Sequence, residues 1–364
     1  MLHVLFAGAD RQRDHTAAEG VRYCPQAKRI TIKRKEMMNS MDLVSLHPNG
    51  IYQIRLPMGN PAWVNCYLIP DNGGYSVIDV GMHTETAVEM WRRASEQIGF
   101  TFEQIRSIVI THHHPDHYGL AGWLQQQSGA PVYVSSLAKR QIEGLWGENR
   151  WLVGSMLEMY RENGLPADVY AEMVQHWQGN GEQVKPHAQL TELNPGSSIV
   201  IGGEHYEVVD MPGHAAGHIG LYNKADRLLL CGDAIMPDSL PDTCFVPGGV
   251  DESPVESFLQ TLKRMEAYEV ELAFPGHYDP FSGFGKRLDE LRELNAERQS
   301  RLLDQIRPEP VTAFEIYARS FPPAASILQL RFGFTETLSR LRWAQELKLV
   351  EPVRQDGVVL YRST

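Results

Sequence analysis

The sequence predicts an α/β protein: two β-sheets packed as a sandwich with helices on the outer faces, in the layer order αββα, followed by a small winged-helix domain. Three observations carry this. Two stretches, 51–135 and 197–277, each open with short β-branched and aromatic runs and then alternate strand with helix. Several apolar strands end in histidine or aspartate with glycine nearby, as at the chemistry-bearing edge of α/β sheets. Residues 286–364 read as helices followed by a hairpin.

The elements follow in order. Residues 1–41 carry 8 basic and 4 acidic side chains, little apolar periodicity and several breakers, so a disordered extension is expected. Met37, Met38 and Met41 place a natural start further downstream within reach. From residue 42 the first domain begins. "IYQIRL", "VNCYLI" and "YSVIDV" are strands separated by turn residues, and "TETAVEMWRRASEQI" is a helix with Thr84 as its cap. "SIVIT" is the next strand, "GLAGWLQQQSG" a helix and "PVYVS" a strand. Residues 136–186 interrupt the rhythm with a helical insert. In it Leu152, Met156, Met159 and Tyr160 share one helical face, and Tyr170, Met173, Val174 and Trp177 another. One face of the insert is expected to pack on the core. The other would form a lid, offering Trp146, Trp151, Met156, Tyr160 and Trp177 to an apolar substrate. "SIVIG", "HYEVVDM", "IGLYN" and "RLLLCGD" resume the strands. The helix "SPVESFLQTLKRMEAY" and the strand "ELAFPGH" complete a domain that ends near residue 285. Beyond it come the amphipathic helix "KRLDELRELNAERQSRLLDQI" and three further helices, "TAFEIYARSF", "ASILQLRF" and "TETLSRLRWAQELKL". A hairpin turning at Asp356–Gly357 ends the chain.

Composition narrows the function. The chain has 364 residues and a formal net charge of −11. Residues 42–285 carry 13 basic and 30 acidic side chains, a poor electrostatic match for a phosphate backbone. No apolar run has the length of a membrane span. Cys24, Cys66, Cys231 and Cys244 have neither metal-like nor disulfide-like spacing, which fits a cytoplasmic protein with free thiols.

The chemistry is concentrated in "THHHPDH", directly after the apolar run ending at Ile110. His112 and His114, two apart on a loop, can reach one side. Pro115 bends the chain before Asp116 and His117. Imidazole and carboxylate suit zinc, iron or manganese. Four such groups so close together fit two neighbouring ions better than one. "MPGHAAGH" adds His214, "LLLCGDA" adds Asp233 and "LAFPGHYDP" adds His277, each at or just beyond a strand end.

With "VIDVG" upstream, these stretches resemble the motifs of the metallo-β-lactamase-fold hydrolases over roughly residues 45–285. The resemblance implies the αββα metallo-β-lactamase sandwich and two divalent metal ions, zinc first, with iron or manganese as the alternatives. It assigns His112, His114 and His214 to one ion, Asp116, His117 and His277 to the second, and Asp233 as the bridge. It gives Asp79 and His218 the role of orienting ligands, and leaves His113 without a ligand role. It further implies hydrolysis by a hydroxide shared between the metals. Zinc lowers the pKa of bound water from 15.7 to about 7, so no serine or cysteine nucleophile is needed. Asp116 would orient the hydroxide and carry a proton to the leaving group.

Departures from the family's branches narrow the substrate. The glutathione-thioester branch would show Lys and Tyr after the bridging aspartate, and "AIMPDSLPDTCF" has neither. The lactonase branch places a Tyr where Ile235, Met236 and Pro237 stand, and the RNA-processing branches add a nuclease domain or basic exosite. The tail resembles that of a subgroup with a C-terminal winged-helix domain, some members of which act on acyl thioesters or related esters, with at least one branch linked to RNA cleavage. Its last helix carries Arg340, Arg342 and Lys348 but also Glu336 and Glu346, which suits packing or oligomerisation, a homodimer included, better than nucleic-acid binding. The expectation is a dinuclear hydrolase of an acyl ester, thioester or lactone acting on a small molecule, with no membrane partner. A metal-dependent nuclease or phosphodiesterase, and a non-catalytic ligand receptor, are the alternatives.

Overall fold

The computed structural model describes residues 42–58 and 63–364. The extension expected over residues 1–41 lies outside the described residues. Strands β1 (Val44–Leu46), β2 (Tyr52–Pro57), β3 (Trp63–Asp71) and β4 (Gly74–Ile78) pair antiparallel in chain order. Helix α1 (Glu85–Ile98) starts where the Thr84 side chain accepts from the Ala87 amide, as the cap expectation required. It crosses to β5 (Ile105–Val109), parallel to β4. The short α2 (Pro115–Tyr118) and α3 (Ala121–Ser128) lead to β6 (Val132–Val134). The insert forms α4 (Ser136–Trp146), α5 (Trp151–Glu162) and α6 (Ala167–Asn180) before β7 (Leu190–Glu192) closes a seven-stranded sheet in the order β1 to β7.

The second sheet contains β8 (Ser198–Ile201), β9 (Glu204–Asp210), β10 (Ile219–Asn223) and β11 (Leu228–Gly232). Helix α7 (Pro254–Met265) carries the chain over to β12 (Leu272–Pro275), which pairs parallel to β11, giving the order β12-β11-β10-β9-β8. Strand alternation decides the layers. Tyr67 and Ile69 of β3, Leu221 of β10 and Leu228 and Leu230 of β11 meet between the sheets. Val64, Cys66 and Leu68 face the outer layer of the first sheet, while Leu229 and Cys231 face α7. The core therefore lies in three slabs, and the strand ends open along one edge.

Helix α8 (Phe284–Leu303) covers the second sheet through Phe284, Leu288 and Leu291, while Leu302 reaches the outer layer of the first. Then follow β13 (Val311–Thr312), α9 (Ala313–Ser320), α10 (Ile327–Glu346), β14 (Val350–Gln355) and β15 (Val358–Ser363), with the sheet order β13-β15-β14. The hairpin turns at Asp356 and Gly357, both at positive φ, as expected. The expectation of three helices here is corrected: "ASILQLRF" and "TETLSRLRWAQELKL" form one continuous helix, α10. The expected acyl platform is corrected too. Trp146, Met156, Tyr160 and Trp177 are buried in the core cluster, because the apolar faces of the insert pack on the body and on α10; Trp151 alone of the five is exposed. No helix among the described residues is long and apolar enough to cross a membrane.

Candidate metal centre

Every motif residue lies at the same edge of the sandwich. Asp79 follows β4, the 111–117 loop follows β5, His214 follows β9, Asp233 follows β11 and His277 follows β12. His218 precedes β10, whose antiparallel course brings its start to that edge. Parallel and antiparallel strands of both sheets thus deliver their termini to one place.

The donors converge in three sets, each with its ligand atoms within 4.8 Å of one another: His112, His114 and His214; His112, His117 and Asp233; and Asp116, His117 and His277. Nδ1 of His114 lies 3.1 Å from Nε2 of His112 and 3.1 Å from Nε2 of His214. Nε2 of His277 lies 3.4 Å from Oδ2 of Asp116 and 3.2 Å from Oδ2 of Asp233. His117 Nε2 is 3.4 Å from Oδ2 of each of the same carboxylates, and His214 Nε2 is 3.6 Å from Asp233. Oδ2 of Asp233 therefore stands between the two histidine groups.

The outer faces of the rings fix which nitrogen points inward. His214 Nδ1 faces the Asp242 carbonyl at 2.9 Å and His277 Nδ1 the Trp63 carbonyl at 2.6 Å. A carbonyl only accepts, so both rings carry their proton on Nδ1 and turn the Nε2 lone pair to the centre. Asp79 does the same for His117 at 2.8 Å. Its carboxylate also accepts from the Thr111 amide and hydroxyl, both at 2.8 Å. The Thr111 oxygen is then free to accept from His112 Nδ1 at 2.9 Å. His218 stacks on His112 with ring centroids 4.8 Å apart and accepts the Asp233 amide on Nε2 at 3.1 Å. It orients the bridge without joining the donor sets.

Electrostatics separate the histidines. Burial pushes His112, His114 and His218 well below the usual imidazole range, and His113 down to about 3. Burial presses His117 and His277 the same way, but Asp233 and Asp116 outweigh it, raising His117 well above the usual range and His277 to about 10. Burial opposes ionisation of Asp116 and Asp233, yet the same histidines hold both carboxyls well below the usual range. The carboxylates thus demand positive charge in this pocket. Burial pushes the Cys66, Cys231 and Cys244 thiols up, which removes a thiolate nucleophile.

The residues fit divalent metal ions. Nitrogens held about 2.0–2.1 Å from a tetrahedral ion lie roughly 3.3 Å apart, close to the spacings found. Nε2 of His117 and Oδ1 of Asp233 are buried with no hydrogen-bond partner among the described residues, an arrangement that costs stability unless something else satisfies them. Gly276 has a steric reason: a Cβ there would lie 2.1 Å from Asp233 Oδ1 and 2.7 Å from His117 Cε1. Beside the first donor set runs a narrow cleft lined by His113, His114, Gln141, Cys244, Val246 and Asp251, among others. Thr111, Gln141 and Asp242 were not singled out by sequence reasoning. Thr111 had a signal, its place at the head of the histidine loop; the other two act through position in the fold.

Residues 60–277 match the family model described as "Metallo-beta-lactamase superfamily". The chain is similar to "Probable metallo-hydrolase YqjP" of Bacillus subtilis, 25% identical over 79% of this chain and 90% of that protein. It is also similar to "Hydroxyacylglutathione hydrolase GloC" of Haemophilus influenzae, 25% identical over 59% of this chain and 86% of that one. Among solved structures, a metallo-beta-lactamase family protein from Thermus thermophilus matches with a TM-score of 0.78 and 27% identity, covering 88% of this chain and 100% of that chain. That coverage exceeds residues 60–277, so the likeness takes in part of the chain beyond the family match.

Proposed function

The chain belongs to the metallo-beta-lactamase superfamily and is a metallo-hydrolase, and on that premise we propose that it hydrolyses acyl thioesters, or related esters and lactones, at a dinuclear centre. His112, His114 and His214 would hold one divalent ion and Asp116, His117 and His277 the second, with Asp233 as a ligand to both. Zinc suits this nitrogen-rich set first. Divalent ions held there would supply a water acidified to a pKa of about 7 and a Lewis acid for the acyl carbonyl. Asp116 orients the attacking water and passes a proton to the leaving thiolate or alkoxide. Asp79, Thr111 and the Asp242 and Trp63 carbonyls keep the histidines aimed. The observation that carries the reading is the convergence of seven donors, four of them histidines (His112, His117, His214 and His277) whose outer hydrogen bonds turn Nε2 inward.

Two observations favour an acyl substrate. The cleft beside the first donor set has Ala215, Ala216, Val246 and Val250 among its walls. A relative is named a hydroxyacylglutathione hydrolase, which is a thioesterase by that name, although this chain lacks the Lys and Tyr expected of glutathione binding. The nuclease reading loses its candidates for phosphate contact. Arg340 is 1% exposed and bonded to Glu336, and Arg342 pairs with Glu252. We read the C-terminal segment as a winged-helix module used for packing. The test is elemental analysis followed by a panel of acyl thioesters, lactones and single-stranded RNA on the metal-loaded protein. About two ions per chain and thioester turnover are expected; RNA cleavage with every acyl substrate refused would overturn the reading.

A further inference from the structure

Arg331 of α10 is 8% exposed, yet among the described residues neither an ion pair nor a side-chain hydrogen bond holds its guanidinium. The other buried arginines of this half are satisfied. Arg340 bonds to Glu336 and Asn295, and Arg287 to Glu290 and two backbone carbonyls. Among the described residues the contacts of the Arg331 guanidinium are aromatic faces, 4.8 Å from the Trp177 ring and 4.6 Å from that of Phe332. A buried cation with no carboxylate in contact is costly, and an anionic ligand would offset that cost.

Its position points to the candidate centre. Trp177 stacks on Trp146 at 5.6 Å, and Trp146 Nε1 donates to the His113 carbonyl at 2.9 Å, inside the metal-binding loop. The guanidinium lies close enough to act electrostatically on His113, Cys244 and Asp116, and His113 and Cys244 line the cleft. A second, independent feature shares that flank. Gln141 is fully buried and lines the same cleft, and neither atom of its carboxamide has a partner. The Trp177 indole N–H is also buried without an acceptor. Among the described residues the Trp177 indole N–H and the Gln141 carboxamide are thus both unpaired, and the Arg331 guanidinium lies against the same Trp177 ring.

We propose that this flank is an anion subsite, in which Arg331 with Gln141 binds a carboxylate or phosphate of the substrate while the scissile carbonyl lies at the metal centre. This rests on the acyl-hydrolase reading and names its substrate class: an acyl compound with a second, anionic group. Arg331 lies outside residues 60–277 and Gln141 inside them, so the C-terminal segment supplies the charge of a subsite that it shares with the catalytic fold. The test is isothermal titration of the metal-loaded protein with butyrate, succinate and 3-phosphonopropionate. All three offer one carboxylate to the ions, and the last two add a second anion. In the wild type one of the dianions binds at least about tenfold more tightly than butyrate, and which one identifies a carboxylate or a phosphate site. Arg331→Met abolishes that advantage, and Arg331→Lys keeps part of it; Arg331→Gln serves if the Met variant does not fold. No dianion advantage in the wild type, or one that survives loss of the guanidinium, overturns the proposal. Thioester hydrolysis is scored separately: if it is absent while the dianion advantage depends on Arg331, the reaction assignment fails and the subsite stands.

Discussion

Asp79 shows how one side chain outside the donor sets governs several within them. Its backbone sits at φ 57°, a conformation unfavourable for a non-glycine residue, and its two oxygens accept from Thr111 twice and from His117. Asp79→Asn puts an amide N–H where His117 or Thr111 must donate. Metal affinity should fall about 10- to 100-fold, measured by competition with a chromophoric chelator; wild-type affinity would show that the backbone alone aims the ring. Asp116→Asn separates chemistry from architecture. It should fold normally and lose about a hundredfold or more in kcat, and wild-type turnover with both ions bound would remove the role given to Asp116. The donors were legible because chemistry dictates their residue types, and a run such as "THHHPDH" has little other use. Arg331, Gln141 and Asp242 were not legible. Each is an ordinary residue in its local sequence, and its significance lies in missing or borrowed partners that only tertiary placement creates.

Among the elements, α10 is where pattern reasoning failed and packing explains why. The gap between the two expected helices, "ASILQLRF" and "TETLSRLRWAQELKL", contains Gly333, a residue that costs a helix about 1 kcal/mol relative to alanine. The helix runs through because Gly333 faces α9: a Cβ there would lie 2.7 Å from the Tyr317 ring edge. That ring is stacked with Phe321 and packed against Phe314 and Phe334, so it has little room to move. Gly333→Ala therefore weighs a propensity gain of about 1 kcal/mol against an overpacking cost of about 1–3 kcal/mol. A net loss of stability is expected in urea denaturation, and a stabilised variant would show that α9 can shift. The same helix carries Glu336, 1% exposed, which accepts from Arg298 at 2.9 Å and from Arg340 at 2.9 Å. Glu336→Leu leaves the buried Arg340 without its carboxylate and should cost about 3–5 kcal/mol. The strands were read well because alternation between two apolar slabs leaves a period of two. The insert was read only by half: a helical stripe says that a face is buried, not what buries it.

Across the whole molecule, the division between catalytic body and tail that composition suggests is not a division of the core. Phe314, Phe334, Leu338, Leu341 and Tyr361 belong to the same apolar cluster as the outer face of the first sheet and the insert. Polar contacts cross the same boundary, Tyr160 to Thr335 at 2.7 Å and Tyr361 to Asn163 at 2.7 Å. Helix α8 packs on the second sheet at its start and joins that cluster at its end. A tail with its own core would melt by itself, whereas one that shares the body's core must unfold with it. Calorimetry of the metal-loaded chain should therefore give a single transition whose calorimetric and van't Hoff enthalpies agree, although chains of this length often melt in steps. Stripping the ions should move that one transition downward, since ligands bound only to the folded state contribute about 4 kcal/mol at a thousandfold excess over Kd. Glu336→Leu should shift it whole rather than split it. Two resolved transitions in the wild type, with only the upper one sensitive to chelator, would show that the tail folds independently of the body.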